Sequence, residues 1–283
     1  MQITYNDFVA VCPSAMTPDL AIFDAIQPAL DGQLAYLKNL CGDKVWSLID
    51  ADVSVLATDY SPYMAALKQS IISYACNAAY DNSIPHLDLV LTATGFGVVS
   101  NQNVAPASAD RVKALRTQLH RACGEDFDSI LSMLRYVTDV TTLPTYYVYW
   151  YRLFWQAYQM TYFGIANPSR DDLIVNAKAI TAGTERIIKV ISEEQYDTLM
   201  REEATGTVAS ELHKKMMHLL RTAVVSWTVN DGSFGALRDK IISLMEDNPT
   251  EFEQYINSST YKALHSQRYQ NQKDDTCYFF GGL

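Results

Sequence analysis

The sequence predicts a mainly α fold: a helical bundle, divisible into two similar units, with one long β-hairpin-like loop inserted between helices. Apolar residues recur at helical spacing along most of the chain, and β-branched residues with turn formers concentrate near residues 89–104. The middle of the chain is unusually aromatic. At 283 residues and 48% hydrophobic content, the chain is long enough to bury a large core.

Helical periodicity is clearest in four stretches, where apolar side chains fall on one face of a 3.6-residue helix. These stretches are 67–78, 127–134, 212–227 and 237–245. Ser108 is a predicted N-cap for a helix that runs to Ala122, with Gly124 just past its end. The spacing of Ser192 and Gln195 predicts a capping box at a later helix.

Residues 85–107, which we call the arm, depart from this helical pattern. The arm contains residues that favour extended backbone or turns, namely Val90, Val98, Val99, Val104, Gly95, Gly97, Asn101 and Asn103. A long non-helical excursion is uncommon unless it binds something or is disordered, and this one is too apolar to predict disorder. We therefore expect the arm to contact a partner protein through Phe96, Val98, Val99, Asn101 and Asn103.

The segment 143–170 carries ten aromatic residues between Tyr146 and Phe163. The pattern predicts a connecting helix in which positions 147, 151, 154, 155, 158 and 162 form one stripe. A helix that is apolar on most sides is normally buried between two layers, so we expect core packing. A subunit interface and an aromatic cage for a ligand are the alternatives.

Two stretches resemble each other at an offset of 150 positions. Leu37–Cys41 aligns with Ile187–Ile191, and Trp46 aligns with Tyr196. Either an internal duplication or chance explains this similarity. The predicted organisation is a first helical unit (1–142) carrying the arm, the aromatic connecting helix (143–170), a second helical unit (171–265) and a C-terminal tail (266–283).

The tail joins a polar run, from Ser266 to Asp275, to an apolar tip. An apolar tip on a polar tether is typical of a docking peptide that adds a strand or enters a pocket on a neighbour. The residues we expect at such a contact are Tyr278, Phe279, Phe280 and Leu283. The alternative is that the tip folds back on its own core.

Charge and cysteine content narrow the possible partners and the compartment. The net charge is −10, so sequence-independent binding to nucleic acid is not expected, because such binding needs a basic field. Five cysteines without a C-x-x-C motif predict reduced thiols and folding in the cytosol. Residues 1–7 do not resemble a signal peptide, and polar residues such as Arg152 make 146–163 a poor membrane span.

No arrangement of residues in the sequence predicts catalysis. The five histidines form no metal-binding motif, and Gly95-Phe96-Gly97 lacks the rest of any phosphate-binding loop. Paired acids such as Glu193-Glu194 are explained by helix N-termini, where negative charge is favourable. We therefore expect no catalytic, cofactor-binding or metal-binding residue, and a protein that is not an enzyme.

The block Thr94–Ser108, with Arg111 three residues later, resembles a motif in proteins encoded by tailed phages and prophages. The terminal Phe280-Gly281-Gly282-Leu283 also resembles the ends of those proteins. They are similar to head–tail connectors, also called adaptors, which are small mainly α proteins that form a ring beneath the portal. The resemblance is best over residues 60–122.

The resemblance implies a virion protein of the phage neck, folded in the host cytoplasm. Its implied partners are copies of itself in a ring, the portal and other neck or tail proteins. DNA would at most pass through the channel, where an acidic wall would not hold it. The alternatives are a soluble helical module that binds a protein or a small apolar ligand without catalysis, and an enzyme whose site the sequence does not reveal.

Overall fold

The structure is a computed structural model that describes residues 1–12, 20–51, 61–87, 108–207 and 210–266, and the backbone of two strands. It is mainly helical, which confirms the prediction of a mainly α protein. The helices are α1 (Tyr5–Val11), α2 (Leu20–Cys41), α3 (Asp43–Asp50), α4 (Ser61–Leu87), α5 (Ala109–Val137), α6 (Tyr146–Tyr149), α7 (Arg170–Ile191), α8 (Glu193–Thr205), α9 (Glu211–Val229), α10 (Phe234–Glu246), α11 (Glu253–Asn257) and α12 (Ser259–Leu264). The strands are β1 (Leu89–Thr92) and β2 (Gly95–Val98), and Val140–Thr142 and Ala157–Phe163 are 3-10 helices.

The chain forms two compact units. Unit 1 comprises Met1–Ala177 with Arg201–Val208, and unit 2 comprises Lys178–Met200 with Ala209–Leu283. The aromatic segment 143–170, predicted as a separate connector, belongs to unit 1. The predicted start of the second unit at 171 also differs, because α7 begins in unit 1 and continues into unit 2.

The core of unit 1 lies among α2, α4 and α5. Residues at the predicted helical spacing, including Leu67, Ile71 and Ala75 of α4, are fully buried. Cys41 and Cys76 are also fully buried, as small apolar residues usually are. The N-terminal amine of Met1 pairs with Asp50 at the end of α3, which fixes the start of the chain to this unit.

Helix α5 begins where the sequence predicts but does not end there. Ser108 is the N-cap, and its side chain accepts a hydrogen bond from the Arg111 N–H. The helix then continues through Gly124 to Val137, so the predicted end near Ala122 is wrong. Gly124 lies beside Arg170, whose side chain would be 3.5 Å from a Cβ at this position. Packing on both sides outweighs the helix cost of one glycine, about 1 kcal/mol.

The predicted aromatic helix over 143–170 is wrong. Only Tyr146–Tyr149 is α-helical, and Ala157–Phe163 is a 3-10 helix that ends at Gly164, where φ is +76°. Polar side chains take the backbone N–H groups that a continuous helix would use. Gln159 Oε1 accepts from Trp155 N at 2.7 Å, and Asp128 accepts from Ala157 N at 2.6 Å.

Because the segment is not one helix, the predicted stripe does not form one face. Trp150 and Leu153, which lie off the stripe, are fully buried, whereas Tyr147 and Tyr158, on the stripe, are exposed. Phe154 and Trp155 are also buried. The prediction that this segment packs into the core is confirmed for four of its ten aromatic residues, Tyr146, Trp150, Phe154 and Trp155, without the predicted helical geometry.

Unit 2 contains most of α7, the part of α8 up to Met200, and α9 to α12. Helix α7 approaches α9 closely at Gly183, where an added Cβ would lie 3.0 Å from Val224 Cγ1. The predicted capping box is half correct: Ser192 Oγ accepts from Gln195 N at 3.3 Å. Gln195 Oε1 instead accepts from Tyr255 N at 3.2 Å, which attaches α11 to the start of α8.

The offset of 150 positions recurs in the element bounds. Helices α2 and α7 begin at 20 and 170 and end at 41 and 191, α3 and α8 begin at 43 and 193, and α4 and α9 begin at 61 and 211. The single residues at the first break, Gly42 and Ser192, both have positive φ, +79° and +73°. The helix that follows α9 is not equivalent to α5, so the correspondence covers only the first three helices of each set.

Candidate interaction site

The arm begins later than predicted, because α4 continues through Pro85 to Leu87. Strands β1 and β2 then pair antiparallel, with Leu89 opposite Val98 and Leu91 opposite Phe96. Phe96 and Val98 of the predicted contact set are therefore on β2. Their side chains, and the residues Val99, Asn101 and Asn103, lie outside the described part of the chain, as do Tyr278, Phe279, Phe280 and Leu283 of the tail.

The arm is inserted between the two longest described helices, α4 and α5, which pair antiparallel. Polar contacts mark the register along their length, with Ser70 Oγ 2.8 Å from Ser129 Oγ and Ser73 Oγ donating to Asp126 at 2.7 Å. Near the arm, Arg116 pairs with Asp81 at 2.8 Å. The strands therefore follow directly in sequence from one end of a long helical pair.

Asp126 is the centre of a partly buried polar cluster in this helical pair. It accepts hydrogen bonds from Ser73 and, at 3.3 Å, from Asn77 Nδ2, while Cys12 Sγ donates to Asn77 Oδ1 at 3.5 Å. Burial raises the pKa of the Asp126 carboxyl despite these donors. Burial also raises the pKa of Cys12 to about 12, so this thiol is protonated at neutral pH and is a poor nucleophile.

A second surface lies at the opposite end of the α4–α5 pair. The Tyr63 and Tyr136 rings stack with their centroids 4.5 Å apart, and the Arg135 guanidinium carbon is 5.7 Å from the Tyr136 centroid. Behind Arg135 lie the Trp155 ring, at 5.5 Å, and Gly206. We call Tyr63, Arg135 and Tyr136 the tyrosine–arginine patch.

The amino-acid sequence alone does not predict this patch. Tyr63 and Tyr136 are 73 positions apart, and Trp155 and Gly206 join them from two further segments. The only local signal is the Arg135-Tyr136 pair near the end of a periodic helix, which is not specific. The proximity of these residues depends on the antiparallel pairing of α4 with α5.

The described histidines have structural contacts. His213 Nε2 lies 3.1 Å from the Glu251 carbonyl oxygen, and its ring packs on Phe252. Exposed His120 lies 3.1 Å from Asp171. Among the described residues, no group of three or more His, Cys, Asp or Glu side chains is arranged to hold a metal ion. None of the described helices combines the length and the apolar character needed to cross a membrane.

Residues 37–139 match the model of a family of unknown function, DUF6712. This match covers less than half of the chain and includes the α4–α5 pair, the arm and all three residues of the tyrosine–arginine patch. Comparisons with curated proteins and with solved structures gave no match.

Proposed function

We propose that this chain is a structural subunit that assembles into a ring through its arm and its tail. In this proposal it is a head–tail connector in the neck of a tailed-phage particle, and its partners are copies of itself, the portal and other neck proteins. It performs no catalysis and requires no cofactor. The sequence resemblance in the arm supports the phage assignment.

The observation that carries the proposal is the position of two different surfaces at opposite ends of one helical pair. From Tyr63 to Leu87, where α4 ends and the arm follows, the helix rises over 24 residues, so the surfaces are roughly 36 Å apart at 1.5 Å per residue. A ring needs two different, non-overlapping surfaces on each subunit, because its contacts are head-to-tail. The arm and the tyrosine–arginine patch meet that requirement.

We further propose that the chain contains an internal duplication. The repeated element bounds and the matching positive-φ breaks support an internal duplication of a three-helix set, in residues 20–80 and 170–230. The β-hairpin-like arm is then an addition specific to the first copy, since α9 is followed directly by α10. Because the arm occurs in only one of the two copies, each subunit would contact one neighbouring subunit through it.

The arm's role can be tested by sedimentation velocity of the full chain over a range of concentrations. We expect the wild-type chain to form a discrete oligomer and the double variant Phe96→Asp, Val98→Asp to lose that oligomer, because charge on the arm opposes burial at an interface. Gln118→Asp, on an exposed position of α5, is the control and should assemble like wild type. Equal assembly of the arm variant and the control would contradict the proposal.

A further inference from the structure

Arg135 is a half-buried cation without an anionic partner. Its Nε is buried and has no hydrogen-bond acceptor, and within the described ranges it makes no ion pair. Its contacts are the faces of Tyr136 and Trp155, at 5.7 and 5.5 Å. Among the described arginines, Arg135 combines the lack of an ion pair with a buried Nε that has no hydrogen-bond acceptor. A guanidinium in this setting favours a carboxylate, which it can bind with two hydrogen bonds.

Arg135 lies over the ring of Trp155, and two donors at Trp155 and Gln159 have no partner in the described part of the chain. The indole N–H of Trp155 and Nε2 of Gln159 are buried without a hydrogen-bond partner in the structure. Gln159 Oε1 is already used by the backbone N–H groups of Trp155 and Gln156. Because both of these donors are buried, the half-buried guanidinium of Arg135 is the group that a negatively charged ligand could reach.

The rest of the patch is aromatic and accessible. Tyr63 is 37% exposed and Tyr136 is 46% exposed, although their rings stack on each other. Stacked tyrosines form a rigid platform for further aromatic side chains, and they lose little conformational freedom on binding. The patch therefore fits a segment that presents a carboxylate next to aromatic rings.

The tail of this protein has that composition in that order. Asp274 and Asp275 are followed, within five positions, by Tyr278, Phe279 and Phe280. We infer that the tyrosine–arginine patch is the docking site for residues 274–280 of a second copy, with an aspartate on Arg135 and an aromatic ring on the tyrosine platform. Eight residues, 267–274, separate Ser266 from the end of this acidic pair's first member, a fully extended length of roughly 27 Å.

This inference rests on the proposed function, because it identifies the receptor for the tail of the assembling subunit. The inference and the proposed function can fail separately. If the chain assembles but the patch does not bind the tail, only the inference is wrong. If the patch binds the tail peptide but no ring forms, the proposed function is wrong and the docking contact stands.

The direct test uses a fluorescent peptide of residues 271–283. Full-length protein is titrated into the peptide, and binding is measured from the increase in fluorescence anisotropy. The receptor carries Asp274→Arg and Asp275→Arg, so that its own tail does not compete. We expect saturable binding that Arg135→Glu weakens by about tenfold or more, since a charge-assisted contact is lost. Arg121→Glu, on an exposed part of the same helix, is the matched control and should leave the affinity unchanged.

Absence of saturable binding, or equal affinity for the Arg135→Glu and Arg121→Glu receptors, would overturn the inference. Tyr63→Ser is a second variant in case Arg135→Glu unfolds the protein, because Tyr63 lies on the surface and its loss should also weaken binding. Circular dichroism and thermal melting verify the fold of each receptor.

Exchange between copies is tested by mixing two full-length variants. One carries Arg135→Glu and the other carries Asp274→Arg with Asp275→Arg, so each lacks one side of the contact. We expect neither to associate through this contact alone and a complex to form on mixing, because an intact tail then meets an intact patch. If mixing gives no complex while the peptide binds, the tail docks within its own chain, and the second-copy assignment is wrong.

Discussion

At the scale of single residues, Gly206 controls the position of the Arg135 guanidinium. Gly206 has a φ of +68°, and an added Cβ would lie 2.6 Å from Arg135 Nη2. Gly206→Ala should cost about 1 kcal/mol of stability from backbone strain. Because the arginine end is flexible, we expect it to move aside and the affinity for the tail peptide to fall.

Gly164→Ala is the matched control for this prediction. Its φ of +76° imposes the same backbone strain, but nothing lies within 4 Å of its added Cβ. Chemical denaturation should show similar losses of stability for both variants, and peptide titration should show weaker binding only for Gly206→Ala. Equal affinities would mean that Arg135 does not contact the tail.

Asp126 gives the fold a pH dependence of defined sign. Its pKa is raised by burial, so the folded chain holds this proton more tightly than the unfolded chain. The free energy of unfolding should therefore decrease as the pH rises from the ordinary aspartate pKa, about 3.9, through the raised value. Asp126→Asn removes this titration, and its stability relative to wild type should increase as the pH rises above the ordinary aspartate pKa, measured by urea denaturation.

Asp172→Asn should change the pH dependence of stability in the opposite direction from Asp126→Asn. Hydrogen bonds from the Ser169 backbone and hydroxyl lower the pKa of Asp172, so its stabilising contribution is present at neutral pH and is lost as the pH falls through the lowered value. Relative to wild type, this variant should lose stability as the pH rises. A relative stability of Asp126→Asn that stays constant or falls with pH would contradict the account of Asp126.

At the scale of elements, the approach of α7 to α9 depends on Gly183. A Cβ there would lie 3.0 Å from Val224 Cγ1 and 3.4 Å from Trp227 Cδ1. Gly183→Ala should lower the free energy of unfolding by about 1–3 kcal/mol, because overpacking exceeds the gain in helix propensity. Gly32→Ala, in the middle of α2 with nothing within 4 Å, should instead stabilise the protein by about 0.5–1 kcal/mol. Stabilisation by both variants would show that α7 and α9 do not pack tightly at this point.

The sequence predicted elements well where a local pattern decides them and poorly where distant residues do. Ser108 caps α5 through its own neighbour, Arg111, so this helix start was predictable. The end of α5 was not predictable, because the helix continues through Gly124, which packs against Arg170 from another helix. The irregular backbone after Tyr149 likewise depends on Asp128, 29 positions away from the N–H group of Ala157 that it binds.

At the scale of the whole molecule, the prediction concerns geometry between subunits. Two different contact surfaces at opposite ends of α4 and α5 produce head-to-tail association, which closes into a ring or continues as a filament. A connector requires closure. The sequence could suggest the arm and the tail as contact segments, but it could not show the tyrosine–arginine patch, which exists only when α4 and α5 pair and residues 155 and 206 pack behind them.

The mass of the assembled full-length protein, measured by native mass spectrometry at increasing concentration, tests the central claim most directly. We expect one discrete multiple of the 31.8 kDa chain that persists as the concentration rises, because a closed ring has a fixed number of subunits. A monomer at every concentration, or a continuous series of ever larger species, would contradict assembly into a ring.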